Sequence, residues 1–238
     1  MHDMWEVFLT PHTDDETLGM AGAITRAHLA GIRTCVVLVT DNLPSTRQRN
    51  VFPLIENLEE QRRIEWKRAM RCLQVDRLCE WDIEEALMVD APAAVQAMIM
   101  SRMEELHYEM CPSHFHTVVG SDDQHAEVGY GALSHLICAN AASAFARRHP
   151  DVRVTLHGVY VYSKPADDRN QCGSLRLRRD ELSKKEQMRK REAMLCYREG
   201  PGSIGYGYKS VPELFDAAVT DPHEYTVELT LNAEQVGA

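Results

Sequence analysis

The sequence predicts an α/β fold with a mostly parallel sheet, and three observations carry that prediction. Trp5–Thr10 and Thr34–Thr40 are apolar runs on either side of a helix-type pattern, a strand–helix–strand unit for which the right-handed parallel crossover is the default. The second run, TCVVLVT, is β-branched and almost wholly apolar, as a strand covered on both faces should be. Strand-like and helix-like segments then alternate to residue 162 without a linker-like stretch. One domain over 1–238 is expected, with the part from about residue 163 appended to the sheet.

Between the first two strands, Leu18, Ala21, Ala23, Ile24 and Leu29 fit a helix closed by Gly31 as C-cap. Asp41–Asn57, with two prolines and no periodicity, reads as a loop. Leu58–Leu73 reads as a helix with Leu58, Ile64, Trp66 and Ala69 in its buried stripe, and Arg77–Ile83 as a weaker strand. Asp90 is expected to cap a helix with Pro92 in its first turn, running to about Met110. His114–Gly120 is the next strand, Ala126–Arg148 an alanine-rich helix and Val152–Tyr162 a further strand. Asp167–Gly173 is a polar loop and Asp180–Tyr197 a charged helix. The glycine-rich stretch Gly200–Lys209 is expected to be flexible and to suit a cover over a site.

Composition narrows the partners. Hydrophobic residues at 44% and charged residues at 26% suit a globular protein able to bury a core. A net charge of −10 argues against a nucleic-acid surface, although Lys and Arg concentrate in Arg176–Arg191. No stretch approaches the ~18 apolar residues that a membrane span needs, so no membrane partner is expected. The seven cysteines are scattered with no CxxC pair, which points to reduced thiols and a cytoplasmic location. Oligomeric state leaves no mark in the sequence.

The chemistry concentrates in Pro11-His12-Thr13-Asp14-Asp15-Glu16, at the turn from the first strand into a helix. Imidazole and carboxylate together suit zinc, and of two adjacent carboxylates one can ligate metal while the other takes a proton from water. The competing reading is that Asp14 or Asp15 caps the helix with His12 packed beside it. Ser121-Asp122-Asp123-Gln124-His125 repeats the layout of strand end, acidic turn, histidine and helix. A parallel sheet brings both turns to one edge, so His125 could supply a third ligand; helix capping by Asp122 or Asp123 is again the alternative. His114 and His116 alternate on one strand and read best as hydrogen-bonded sheet residues. The cysteines show no zinc spacing.

The first hexapeptide resembles the PHPDDE signature of the zinc-dependent de-N-acetylases, the PIG-L or LmbE-like family. Asp122-Asp123-Gln124-His125-Ala126-Glu127-Val128-Gly129 is similar to the family's second motif, HPDHxAxG. Arg62-x-x-Glu65, ahead of Ala69 and Leu73, and Lys190-x-x-Ala193-Met194 are weaker echoes. The resemblance spans roughly residues 4–200. It implies a Rossmann-like three-layer fold and hydrolysis of an N-acetyl group from an amino sugar or related small conjugate. By position it makes His12, Asp15 and His125 the ligands of Zn2+ or another divalent transition metal. Asp14 becomes the general base on a zinc-activated water, and Arg62 a substrate-binding residue.

Two departures stand out. Thr13 replaces a proline and removes no functional group. Asp122 stands where the family has a histidine that polarises the carbonyl or protonates the departing amine. An anionic Asp122 cannot stabilise an oxyanion; it serves as a catalytic acid only if burial or Asp123 raises its pKa. The alternatives are that Asp122 binds a cationic or hydroxyl-rich substrate, or that His114 or His116 has taken over the role. An amidase for another acyl or thiol conjugate, or a metal-binding homologue with impaired catalysis, stays open beside the deacetylase. A nucleotide-binding Rossmann domain is poorly supported, because the first turn has no GxGxxG.

Overall fold

A computed structural model of the protein describes residues 4–41, 57–119, 130–172, 175–200 and 203–229. Seven strands form its main sheet: β1 (Trp5–Thr10), β2 (Arg33–Thr40), β3 (Arg77–Ile83), β4 (His114–Val118), β5 (Arg153–His157), β6 (Arg178–Glu181) and β7 (His223–Glu228). Their order is β3-β2-β1-β4-β5-β7-β6. The first five are parallel, and β7 runs antiparallel to both β5 and β6. The chain thus builds outward from β1 to β3, then crosses to β4 on the other side of β1. That reversal is the topological switch point of an open α/β sheet, whose crevice lies at the carboxyl ends of the strands. The turn after β1 is placed there.

The helices are α1 (Asp15–Gly19), α2 (Ala21–Leu29), α3 (Leu58–Leu73), α4 (Glu85–Asp90), α5 (Pro92–Met110), α6 (Tyr130–Arg148) and α7 (Lys184–Leu195). α5 packs on α6, while α2 and α3 pack on α7. β2 is buried from Thr34 to Thr40, as its unbroken apolar run requires. α3 buries Leu58, Arg62, Glu65, Trp66, Ala69, Met70 and Leu73, a stripe at helical spacing that includes two charged residues. No described helix is long and apolar enough to cross a membrane.

Most elements up to β5 match their sequence reading, and Gly31 does take a left-handed backbone after α2 (φ 73°). Four readings need correction. Asp90 is the last residue of α4, a helix the periodicity did not reveal, and Ala91 takes the N-cap position of α5 with no side-chain cap. β5 ends at His157, and Tyr160–Ser163 is a 3-10 turn. Asp180 lies in β6 rather than in a helix; α7 begins after Ser183, which forms a capping box with Glu186. The described part of the glycine-rich stretch is a short strand, Ser203–Ile204, and a helical turn, Tyr206–Ser210.

Lys190 ties α7 to the helices after β1. Its buried ammonium donates to the Leu18 carbonyl at 2.8 Å and to Tyr162 Oη at 3.0 Å, and lies 3.5 Å from Glu224. Glu224 in turn accepts from the Gly22 and Ala23 N–H groups at the start of α2. Lys190→Met would leave Glu224 buried without its cation, at a cost of about 3 kcal/mol. Thermal unfolding is expected to shift down by roughly 6–12 °C. A melting temperature equal to wild type would show that the pair contributes nothing net.

Candidate metal centre

The turn from β1 into α1 is closed by its own carboxylates. Asp15 accepts the His12 backbone N–H at 2.8 Å, and Glu16 accepts that of Asp14 at 3.2 Å. Tyr197 and Thr17 donate to the same Glu16 carboxylate and hold it in place. Asp14 is thereby set in the left-handed region (φ 100°), at the N-cap position of α1, yet its side chain makes no capping hydrogen bond. The capping reading therefore does not hold for Asp14. Burial, then the neighbouring Asp15, pushes the Asp14 pKa well above the usual carboxylate range, and the Arg62 guanidinium offsets part of that.

His12, Asp15 and His135 converge, with ligand atoms all within 4.8 Å of one another. Asp15 is the centre of the group, 3.4 Å from His12 Nδ1 and 3.1 Å from His135 Nε2. His12 Nε2 lies 2.8 Å from Glu85 and 3.0 Å from Ser134 Oγ. Tyr160 covers the His135 ring at 4.9 Å between centroids. Burial opposes a charged His12, but Glu85 and Asp15 outweigh it and raise its pKa to about 10. Burial opposes charge on Asp15 too, yet His135 and then His12 hold its carboxyl well below the usual range. Buried carboxylates here hold positive charge close by.

The donor set fits a divalent transition ion. His135 is fully buried, and among the described residues neither of its ring nitrogens makes a hydrogen bond of good geometry. Buried polar atoms are nearly always partnered, so an imidazole with the Asp15 carboxylate at 3.1 Å and a second imidazole beside it has the chemistry to hold an ion.

Of the residues the sequence singled out, His12, Asp14 and Asp15 share this site. Arg62 is buried and stacks its guanidinium 4.5 Å from the centre of the Tyr206 ring. Its charge acts on both Asp14 and Glu85, so it faces the same cluster. Asp122 and His125 lie outside the described residues. His114 and His116 pair in register with Glu6 and Phe8, towards the amino end of β1, and do not join the centre. Sequence reading missed His135, Ser134, Glu85 and Tyr160. His135 sits inside an alanine-rich helix where no motif marks it. Glu85 had a usable signal: it follows β3, whose carboxyl end shares an edge with that of β1.

Fold and site together define a Rossmann-like α/β protein with a buried histidine–aspartate centre at the carboxyl edge of its sheet. The chain matches "PIG-L: GlcNAc-PI de-N-acetylase" over residues 7–146 and belongs to that family. No curated protein matches it. Among solved structures, a deacetylase of the teicoplanin biosynthesis pathway aligns at TM-score 0.70 and 16% identity, over 96% of this chain and all of that one. The A40926 pseudoaglycone deacetylase Dbv21 aligns at 0.65 and 19%, over 98% and 100%. GalB, the 4-carboxy-2-hydroxymuconate hydratase of Pseudomonas putida KT2440, aligns at 0.63 and 13%, over 97% and 98%. The family membership supports a de-N-acetylase; the structural likenesses show the fold.

Proposed function

We propose that the protein is a metal-dependent N-deacetylase that releases acetate from an N-acetylated amino sugar or related small conjugate. The observation that carries this is the His12–Asp15–His135 cluster with the Asp14 carboxylate, which makes no capping hydrogen bond, beside it. His12, Asp15 and His135 would hold the ion, with His125 from the second motif as a further donor. A divalent ion, Zn2+ in this reading, supplies Lewis-acid polarisation of the amide carbonyl and acidifies water. Glu85 and Ser134 orient the His12 ring, as partners behind a metal ligand do. In this reading Asp14 takes the proton of the attacking water and returns it to the departing amine, so that amide and water become acetate and free amine. Arg62, held on the Tyr206 face, binds the substrate, and Asp122 is assigned to the acid or substrate-binding role of the second motif.

Acetate release from a panel of N-acetylated amino sugars, with and without a chelator, tests the reading. Activity that survives complete metal removal would sink it. Because one fold neighbour is a hydratase, fold alone does not choose the reaction. Product analysis separates acetate from another acyl group or from hydration.

Arg62→Met is expected to raise KM about 10–100-fold, the worth of a charge-assisted hydrogen bond, while metal content stays at wild type. An unchanged KM would remove Arg62 from substrate binding.

A further inference from the structure

A second group of donors lies on the sheet away from the turn after β1. Glu6 of β1 pairs in register with His114 of β4, and His116 follows on the same face. Glu6, His114 and His116 are buried (8%, 7% and 5% exposed), with ligand atoms all within 4.8 Å of one another. A cavity of about 410 Å³ adjoins them, bounded by α2, β5, β6 and β7 and lined by the carboxylates of Asp180 and Glu228 and the guanidinium groups of Arg26, Arg153 and Arg178.

The hydrogen bonds around the group fix where its protons are. His157 Nδ1 lies 3.1 Å from the Gly19 carbonyl, which can only accept, so Nδ1 carries the proton. In a neutral imidazole that leaves His157 Nε2 bare, to accept from His116 Nδ1 at 3.0 Å. His116 Nε2 is then bare in turn, and it faces Glu6 Oε2 at 3.3 Å. Two acceptors thus meet in a buried place, and only a cation or an extra proton relieves the contact. His114 Nε2 meets Thr155 Oγ1 at 2.8 Å, a hydroxyl that can donate or accept, and its Nδ1 is on the Glu6 side, 3.9 Å from Oε1 and beyond hydrogen-bond range. Each imidazole therefore has its far nitrogen held and its near nitrogen aimed at one carboxylate, the pattern of second-layer support behind metal-bound histidines. Arg153 approaches the Oε1 side of Glu6 at 4.0 Å and leaves Oε2 facing His116.

We propose that Glu6, His114 and His116 form a second metal site, separate from the His12–Asp15–His135 centre, for a divalent first-row transition ion such as Zn2+. Two imidazoles and a carboxylate are a donor set for such ions, and the cavity has room for water in the remaining positions. The site would cross-link β1 to β4 at the middle of the sheet.

The test uses the full chain stripped of metal, with Zn2+ and Co2+ as probes. Asp15→Asn silences the first centre. In that background one ion per chain is expected, with a Co2+ absorption band from nitrogen and oxygen ligands. Adding Glu6→Gln, which keeps shape but removes charge, is expected to abolish that binding. His157→Gln should weaken it about 10–100-fold, as loss of a supporting partner does. In the unsubstituted chain, nitrogen NMR of labelled histidine should show Zn2+ shifting His116 Nε2 and His114 Nδ1. This measurement decides the matter if the Glu6 variant fails to fold. No uptake by Asp15→Asn, undiminished uptake after Glu6→Gln, or unmoved His114 and His116 signals at saturating Zn2+ would overturn the site and assign a shared proton to Glu6 and His116. If the first centre proved to hold no metal, the unsubstituted chain and Asp15→Asn would each bind one ion, and this site would stand alone.

Discussion

Asp14→Asn is expected to stop acetate release while leaving the metal in place. General-base catalysis is worth about 10²–10⁴-fold, and the asparagine amide has no lone pair basic enough to take the proton of water. The expectation is specific because the Asp14 side chain caps nothing: no capping hydrogen bond is lost, so the helix start should survive. The left-handed backbone also tolerates asparagine as readily as aspartate. Metal content and circular dichroism equal to wild type, with turnover down by at least two orders of magnitude (about 100-fold), is the predicted pattern. Full turnover would remove Asp14 as the base. Loss of metal along with turnover would make Asp14 a ligand instead.

Asp15→Asn is expected to have the largest effect on metal binding at this centre. Asp15 is the one residue in the group that approaches both imidazoles, and it also accepts the His12 backbone N–H that closes the turn. Replacing it removes a charged donor and loosens the position of a second. The affinity loss should exceed the roughly 10–100-fold that removal of a mere supporting partner costs. His135→Gln is expected to lower affinity in the same direction, and running His125→Gln beside it measures what the second motif contributes. If Asp15→Asn and His135→Gln both keep wild-type metal affinity, the ion is held elsewhere. Glu85→Gln supplies the graded control: His12 keeps a hydrogen-bond partner there, so its effect should be the smaller one.

The family membership and the fold point the same way but carry different weight. Residues 7–146 place the chain among the PIG-L proteins, whereas structural neighbours below 20% identity include both deacetylases and a hydratase. Reaction class therefore rests on the family and the site, where a buried carboxylate that makes no capping hydrogen bond stands beside a metal-type cluster.

Much of this protein was written in local sequence. The runs Trp5–Thr10 and Thr34–Thr40 announced strands because buried parallel strands need apolar residues on both faces. α3 was readable from Leu58 to Leu73 because its apolar stripe has helical spacing. His12, Asp14 and Asp15 were visible because three chemically loaded residues in one strand-to-helix turn are a local pattern. What tertiary structure decided was everything that depends on distant segments meeting. The antiparallel β7 and β6 extend the sheet from the carboxyl-terminal part of the chain, a pairing that no periodicity records. His135 and Glu85 reach His12 and Asp15 only because parallel strands deliver their carboxyl ends to one edge. Glu6, His114 and His116 become a group only through the register of β1 on β4. A sequence shows which side chains could hold an ion; strand register decides which of them stand within reach of one another.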